Sequence, residues 1–238
     1  MAVVEDALSR ILDAHGGLDY WNSLSSIDIE MSAGGFLFTT KRIAPVRHAR
    51  LTLNTKAPEV VTHDFPAPGH STLLHGGERI EIRDAGGSVI ESRTDPRGAF
   101  NWRRKLLYWD TMDFAYFSSY AMWNYLCLPF LLTYPGMSVS QVGRDCMTVG
   151  FPAGLPTHSP VQRLYFDESG LLTGHDYTAE VVGGWAKAAH LISEYRRFGG
   201  LMVPTVRRVY PRGPFGRPLP GPTLVAVDVH DVRLNPAG

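Results

Sequence analysis

The first apolar positions recur at helical spacing. Val4, Leu8, Ile11 and Leu12 fall on one face of residues 3–16, with Glu5, Asp6, Arg10 and Asp13 between them, which predicts an amphipathic helix. Gly16-Gly17 supplies its stop. A short second helix over 18–24 places Tyr20, Trp21 and Leu24 against the rest. From there the period becomes two. Ile27, Ile29 and Met31 alternate with Asp28 and Glu30, and Ile80 and Ile82 alternate with Arg79, Glu81 and Arg83, the pattern of strands with one buried face. Similar runs lie near 35–43, 47–54, 59–65 and 88–93, and after residue 137 at 138–150, 161–167, 174–182, 188–198, 203–210 and 223–234. Val225, Val227 and Val229 share one face while Val232 and Leu234 take the other, so a bulge is expected near Asp231. Long β-runs with short polar turns predict an antiparallel sheet, and about ten to eleven strands would curl strongly or close. The expected class is mainly β (α+β): a curled antiparallel sheet or half-barrel with an N-terminal helix and a helical segment over its cavity.

That helical segment interrupts the β pattern. Residues 100–134 hold 12 of the 26 aromatics, and residues 114–143 contain no charged side chain. The run is long enough to span a bilayer on charge alone. Ser118, Ser119, Asn124, Thr133 and Pro129 argue against spanning. Trp109, Met112, Tyr116, Tyr120, Trp123 and Leu126-Cys127 recur at steps of three and four, so helix with a broad apolar face is expected over 108–127, within a lid covering 106–134. Residues 1–24 form the N-terminal helices, 211–222 a Pro/Gly loop between two strands, and 1–238 a single domain in this reading.

Composition narrows the function classes. Lys plus Arg number 23 and Asp plus Glu 23, and charged residues make up only 19%, so no electrostatic footprint for nucleic acid appears. Two cysteines, Cys127 and Cys146, are too few for a disulfide framework. The opening Met-Ala-Val-Val-Glu-Asp has acids where a signal peptide needs basic residues, and a cytoplasmic location without stable membrane insertion is the expectation.

No strong catalytic signature is present: no GxSxG, HExxH, GxxxxGK[ST] or post-strand GxGxxG occurs. The nine histidines are scattered, and neither a metal nor a cofactor is expected. Arg103-Arg104-Lys105 reads as a solvated flank, and Arg207-Arg208 and Arg212 as the wet side of strands. His175 and Tyr177 share a face of 174–182, and Leu191, Ser193 and Tyr195 share a face of 188–198. If those faces point inward, His175 supplies an acid or base and Tyr177 and Tyr195 supply phenolic donors to an oxyanion. The competing reading is a set of buried polar tips satisfied by backbone. Trp102, Trp109, Met112, Tyr116, Phe117, Tyr120 and Trp123 are the candidate ligand-binding wall.

The opening Ile11-Leu12-Asp13-Ala14-His15-Gly16-Gly17-Leu18-Asp19-Tyr20-Trp21, and the strand, Gly turn and Val-Pro-Thr strand start within 194–210, resemble the bacterial lipoprotein-carrier-like (Lol-type) half-barrel superfamily. The resemblance implies an antiparallel sheet curled into a half-barrel with helices closing its apolar concave face. It implies a carrier of apolar cargo and no catalytic residues; the chain would be a member without a signal peptide. Three functions follow. The first is binding of a hydrophobic small molecule, with cofactor-free cyclisation or isomerisation of a polyketide- or terpenoid-like intermediate. The second is a non-catalytic carrier or sensor of lipid, and the third an acid–base hydrolase or dehydratase.

Overall fold

The computed structural model describes residues 2–238; Met1, the first position of the expected N-terminal helical segment, lies outside them. Helices α1 (Ala2–Ala14) and α2 (Leu18–Asn22) follow the predicted pattern and bury Ile11, Leu12 and Trp21. Gly16 between them has a φ of 119°, and a Cβ there would meet Gly200 O at 2.3 Å, so the close approach requires glycine.

One antiparallel sheet contains β1 (Leu24–Gly34), β2 (Val46–Asn54), β3 (Glu59–His63), β4 (Ser71–His75), β5 (Arg79–Arg83), β6 (Val89–Thr94), β7 (Ser138–Gln141), β8 (Cys146–Gly150), β9 (Val161–Phe166), β10 (Leu172–Thr178), β11 (Lys187–Phe198), β12 (Leu201–Pro211) and β13 (Val225–Pro236). The order is β6-β5-β4-β3-β2-β1-β13-β12-β11-β10-β9-β8-β7. Two meanders are therefore joined where β1 pairs with β13, and the sheet is not closed. Thirteen strands exceed the expected ten to eleven. Residues 138–150 are a hairpin rather than one strand, and the adjacent Leu73 and Leu74 of β4 point to opposite faces, so its sequence shows no alternation. Glu30 pairs with Asp231 and Met31 with Val229, so His230 is the extra residue of the bulge expected near Asp231.

Residues 35–43 do not form the expected strand. Gly35, at φ 124°, turns the chain, and α3 (Phe36–Thr40) follows. The N–H groups of Phe36 and Leu37 donate to Thr223 O and Leu224 O, both at 2.9 Å, and Phe38 packs edge-on against Phe114. Tertiary contacts outweigh the strand preference of Phe and Thr here.

The expected lid resolves into α4 (Trp102–Leu106), α5 (Thr111–Cys127) and a 3-10 turn, Phe130–Thr133. α5 is not a lid over an open mouth. All its residues from Met112 to Cys127 except Ser118 are buried, as befits a helix apolar on every side. It packs on β3, β4 and β5, and Trp123 Nε1 donates to Asn54 O at 2.8 Å. Its other side is covered by residues 151–160, where Asn124 Nδ2 donates to Pro156 O at 2.8 Å. From β12, Arg207 stands over the Tyr125 ring. Both arms of the sheet thus grip one helix, and the sheet curls around it.

The start of α5 is fixed by charge. Asp110 and Asp113 form a reciprocal capping box. Arg93 from β6 and Arg104 from α4 each bind both carboxylates. Arg104 is therefore an internal clamp rather than part of a solvated flank. Among the described residues, no helix is long and apolar enough to cross a membrane.

Candidate functional site

A cavity of about 500 Å³ opens at one end of the curl. Phe36 and Leu37 of α3, Lys105 and Leu106 of α4, and Phe117 of α5 line one side. Tyr177, Ala179, Val182, Trp185, Ala186 and Ala188 of the β10–β11 hairpin line another, and Val209, Pro211 and Leu224 complete the wall. The lining also includes Lys41, Lys187 and Arg212 but no acid. A second cleft, of about 560 Å³, has a charged lining that includes Glu78, Asp95, Arg97 and Glu180, and the Arg97–Glu180 ion pair spans part of it. The first has the apolar walls and few polar groups of a small-molecule site.

His158 forms the polar part of that wall. It stands in the covering segment 151–160, parallel to the Tyr177 ring with centroids 4.0 Å apart. Its Nε2 lies 2.9 Å from Tyr125 Oη and its Nδ1 3.3 Å from Tyr120 Oη. The Tyr125 and Tyr177 hydroxyls share a further bond of 2.8 Å. Behind Tyr177 on β10 lies His175, whose Nε2–H donates to Gln162 Oε1. Burial holds His158 and His190 well below the ordinary imidazole value; for His190 the Arg207 charge adds to it. Burial and then Arg207 bring His175 down to about 3. Burial also pushes Tyr125 up to about 12 and Tyr177 well above its ordinary value. At neutral pH the cluster is a chain of uncharged imidazoles and phenols. Lys41, buried beside it, is lowered to about 8 by desolvation.

The residues singled out from sequence separate into groups. His175 and Tyr177 do face inward together, and Tyr177, Tyr120 and Phe117 gather around His158. Tyr195 lies elsewhere: its hydroxyl donates to Leu172 O at 2.7 Å and approaches His15 Nε2 at 3.3 Å. Trp109 is buried beside Phe117, Met112 is buried in the core, and Tyr116 lines the charged cleft. Trp123 is wholly enclosed, and Trp102 is 63% exposed on α4. The phase expected for β11 is reversed: Leu191 is exposed, whereas His190 and Ile192 are buried. Glu194, at φ 56°, interrupts the alternation, and the Tyr195 ring packs on the core side. Sequence reasoning passed over His158, Tyr125 and His190, and Arg207, expected on the wet side of its strand, is instead 1% exposed against Tyr125 because α5 packs over that face. Only Tyr125 carried a signal, as one aromatic among many on its helix.

Two solved structures are similar to this chain along nearly all of it. One is a DUF1329 family protein from Desulfovibrio piger, 16% identical, covering 97% of this chain and 92% of its own with a TM-score of 0.48. The other is a LolA superfamily protein from Nitrosomonas europaea, 9% identical, covering 96% and 93% with a TM-score of 0.48. No family model and no curated protein matches the chain.

The hydrogen-bonded chain has a measurable energetic content. Tyr177→Phe removes one buried hydroxyl yet leaves Tyr125 bonded to His158. The expected loss is about 1 kcal/mol in urea unfolding; a loss above about 3 kcal/mol would mean that Tyr177 Oη satisfies more than this one partner.

Proposed function

We propose that this protein binds a hydrophobic small molecule in the cavity beneath α3 and α4. The observation that carries this reading is a largely apolar chamber of about 500 Å³ whose lining includes the uncharged His158–Tyr177 stack. That volume is in the range of ligand pockets. The walls supply apolar area and the stack supplies one or two orienting hydrogen bonds, a combination suited to a largely apolar molecule bearing a single polar group.

The test uses N-phenyl-1-naphthylamine, a neutral apolar dye. It is expected to bind saturably at one site and to change the emission of Trp185, which lines the mouth and is 68% exposed. Ala186→Trp places an indole in the cavity at a half-buried hairpin position. It should weaken dye binding by about tenfold or more, the equivalent of about 1.4 kcal/mol, with the melting temperature unchanged. Binding that ignores this substitution, or no saturable binding, removes the proposal.

A second reading, cofactor-free cyclisation or isomerisation, draws on the Tyr120–His158–Tyr125–Tyr177 chain at the wall. General acid–base catalysis works best with groups titrating near the working pH, and these are displaced far from it. A catalytic role would therefore rest on folding a flexible substrate into a reactive shape, which can contribute about 7–11 kcal/mol in favourable intramolecular cases. In that reading Tyr177→Phe alters turnover only modestly, whereas Ala186→Trp abolishes it.

A further inference from the structure

Next to the cavity lies a charge without a counter-ion. Arg207, 1% exposed on the concave face of β12, packs its guanidinium over the Tyr125 ring and donates through Nη2 to Tyr125 O. Its Nε and Nη1 have no partner among the described residues, and neither does either ring nitrogen of His190. Among the described residues, no carboxylate lies within ion-pair distance of Arg207. A buried cation with no anion beside it costs several kcal/mol, and buried arginines are ordinarily paired.

The surroundings do not compensate that charge. Tyr125, Tyr177 and Tyr195 are protonated and neutral at pH 7, raised by burial. His15, His158, His175 and His190 are neutral there, lowered by burial. The patch thus carries one positive charge and three groups with hydrogens to donate: Arg207 Nε, Arg207 Nη1 and the protonated nitrogen of His190.

The strands connect this patch to the cavity. On β12, Val209 lines the cavity and Arg207 is the next inward residue; on β11, Ala188 lines it and His190 is the next. Two residues along a strand is about 6–7 Å. The register pairs His190 with both Val209 and His175, so the polar patch continues these strands one step beyond the residues that line the cavity.

We infer that Arg207 and His190 form the head-group site for a carboxylate, and that the bound molecule is an amphipathic organic acid whose apolar body fills the cavity. The inference rests on the cavity being the binding site. A monovalent carboxylate matches the single charge, whereas a phosphate dianion would need a second cation. Lys41, Lys105, Lys187 and Arg212 in the cavity lining offer rival positions for an anionic head, but Lys41 Nζ already donates to Arg104 O and Lys105 O, Arg212 pairs with Asp176, and Lys105 and Lys187 keep contact with solvent.

The experiment compares decanoate with decanol as displacers of N-phenyl-1-naphthylamine. Decanoate is expected to bind at least about tenfold more tightly, because a hydrogen bond to a charged group contributes about 1.5–3 kcal/mol. That preference should vanish in Arg207→Gln, survive in part in Arg207→Lys, and persist in Lys187→Gln. Equal affinities, a preference that survives Arg207→Gln, or one lost in Lys187→Gln would overturn the assignment. Because Arg207→Gln is a core substitution, the unsubstituted protein supplies a second measurement. The carboxyl signal of bound 1-13C decanoate should stay at its ionised position from pH 7 down to about 4, through the ordinary carboxyl value of about 4.3, since a neighbouring cation lowers a carboxyl pKa by about 1–3 units. Titration at the ordinary carboxyl value would place the head in solvent and overturn the inference. If decanol displaces the dye as well as decanoate does, the cavity stands as the binding site and only the head-group assignment falls; if neither displaces it, the cavity itself is wrong.

Discussion

Replacing Asp113 with alanine should destabilise the protein by about 3 kcal/mol or more, within the range of about 3–5 kcal/mol for breaking a buried ion pair from one side. The Asp113 side chain is fully enclosed and accepts from Arg93 Nη1 at 2.7 Å and from Arg104. It also accepts from the backbone N–H of Asp110 at 3.1 Å, so the substitution removes half of the capping box as well. Two features place the loss at the lower end of that range. Both arginine side chains are 20% exposed, and both keep Asp110 as a partner. Asp113→Asn retains the shape and an acceptor and should lose less. Urea unfolding of the two variants measures this, and a loss below about 1 kcal/mol for the alanine variant would show that α5 is not anchored through its first turn.

Stability should also decline steeply as pH falls below 6.5. An unfolded chain protonates histidine near 6.5, whereas folded His175 resists protonation down to about 3 because it is buried and faces Arg207. The folded state binds fewer protons in that window, so its stability is complete above the unfolded value and lost as pH drops. For His175 alone the loss reaches about 2 kcal/mol at pH 5, at about 1.4 kcal/mol per pH unit. His15, His158 and His190 shift in the same direction and add to the slope. Asp110, held at about 2 because Arg93 and Arg104 outweigh its burial, contributes its own loss only below the ordinary carboxyl value, outside this window. Unfolding free energies at pH 7.5, 6 and 5 provide the measurement. A flat profile between pH 7.5 and 5 would mean that the imidazoles are hydrated or paired in the folded protein.

Both effects arise from polar groups inside a predominantly apolar fold, and they differ in how visible they are along the chain. Asp110 and Asp113 stand three apart before an apolar run, the spacing of a helix start, but the arginines that clamp them come from β6 and α4. The histidines show the same asymmetry. His175 falls on an inward face because Tyr177, Ala179 and Val181 share its phase, whereas grouping Leu191, Ser193 and Tyr195 as the inward face of 188–198 gives β11 the wrong phase and leaves His190 outward. A period of two defines two faces without saying which is buried. Between Ala188 and Ile192 on one side and Leu191 and Tyr195 on the other, the apolar content is nearly balanced, so the register with β10 and β12 settled it. His158 occupies a Pro- and Gly-rich loop with no period at all.

From sequence alone, the apolar periodicity determined α1, most of the strands, the antiparallel sheet, a bulge near Asp231 and helix within 108–127, because each depends on neighbours a few residues apart. The tertiary structure decided that α5 is enclosed rather than laid across an opening, since enclosure depends on both arms of the sheet reaching one helix. It likewise decided that Phe36–Thr40 is helical, through backbone bonds to Thr223 and Leu224 far along the chain. The placing of Arg207 inward, beside Tyr125 and His190, has the same origin. A cation in a strand reads as solvent-facing from its own chemistry, and only the helix packed against that strand encloses it.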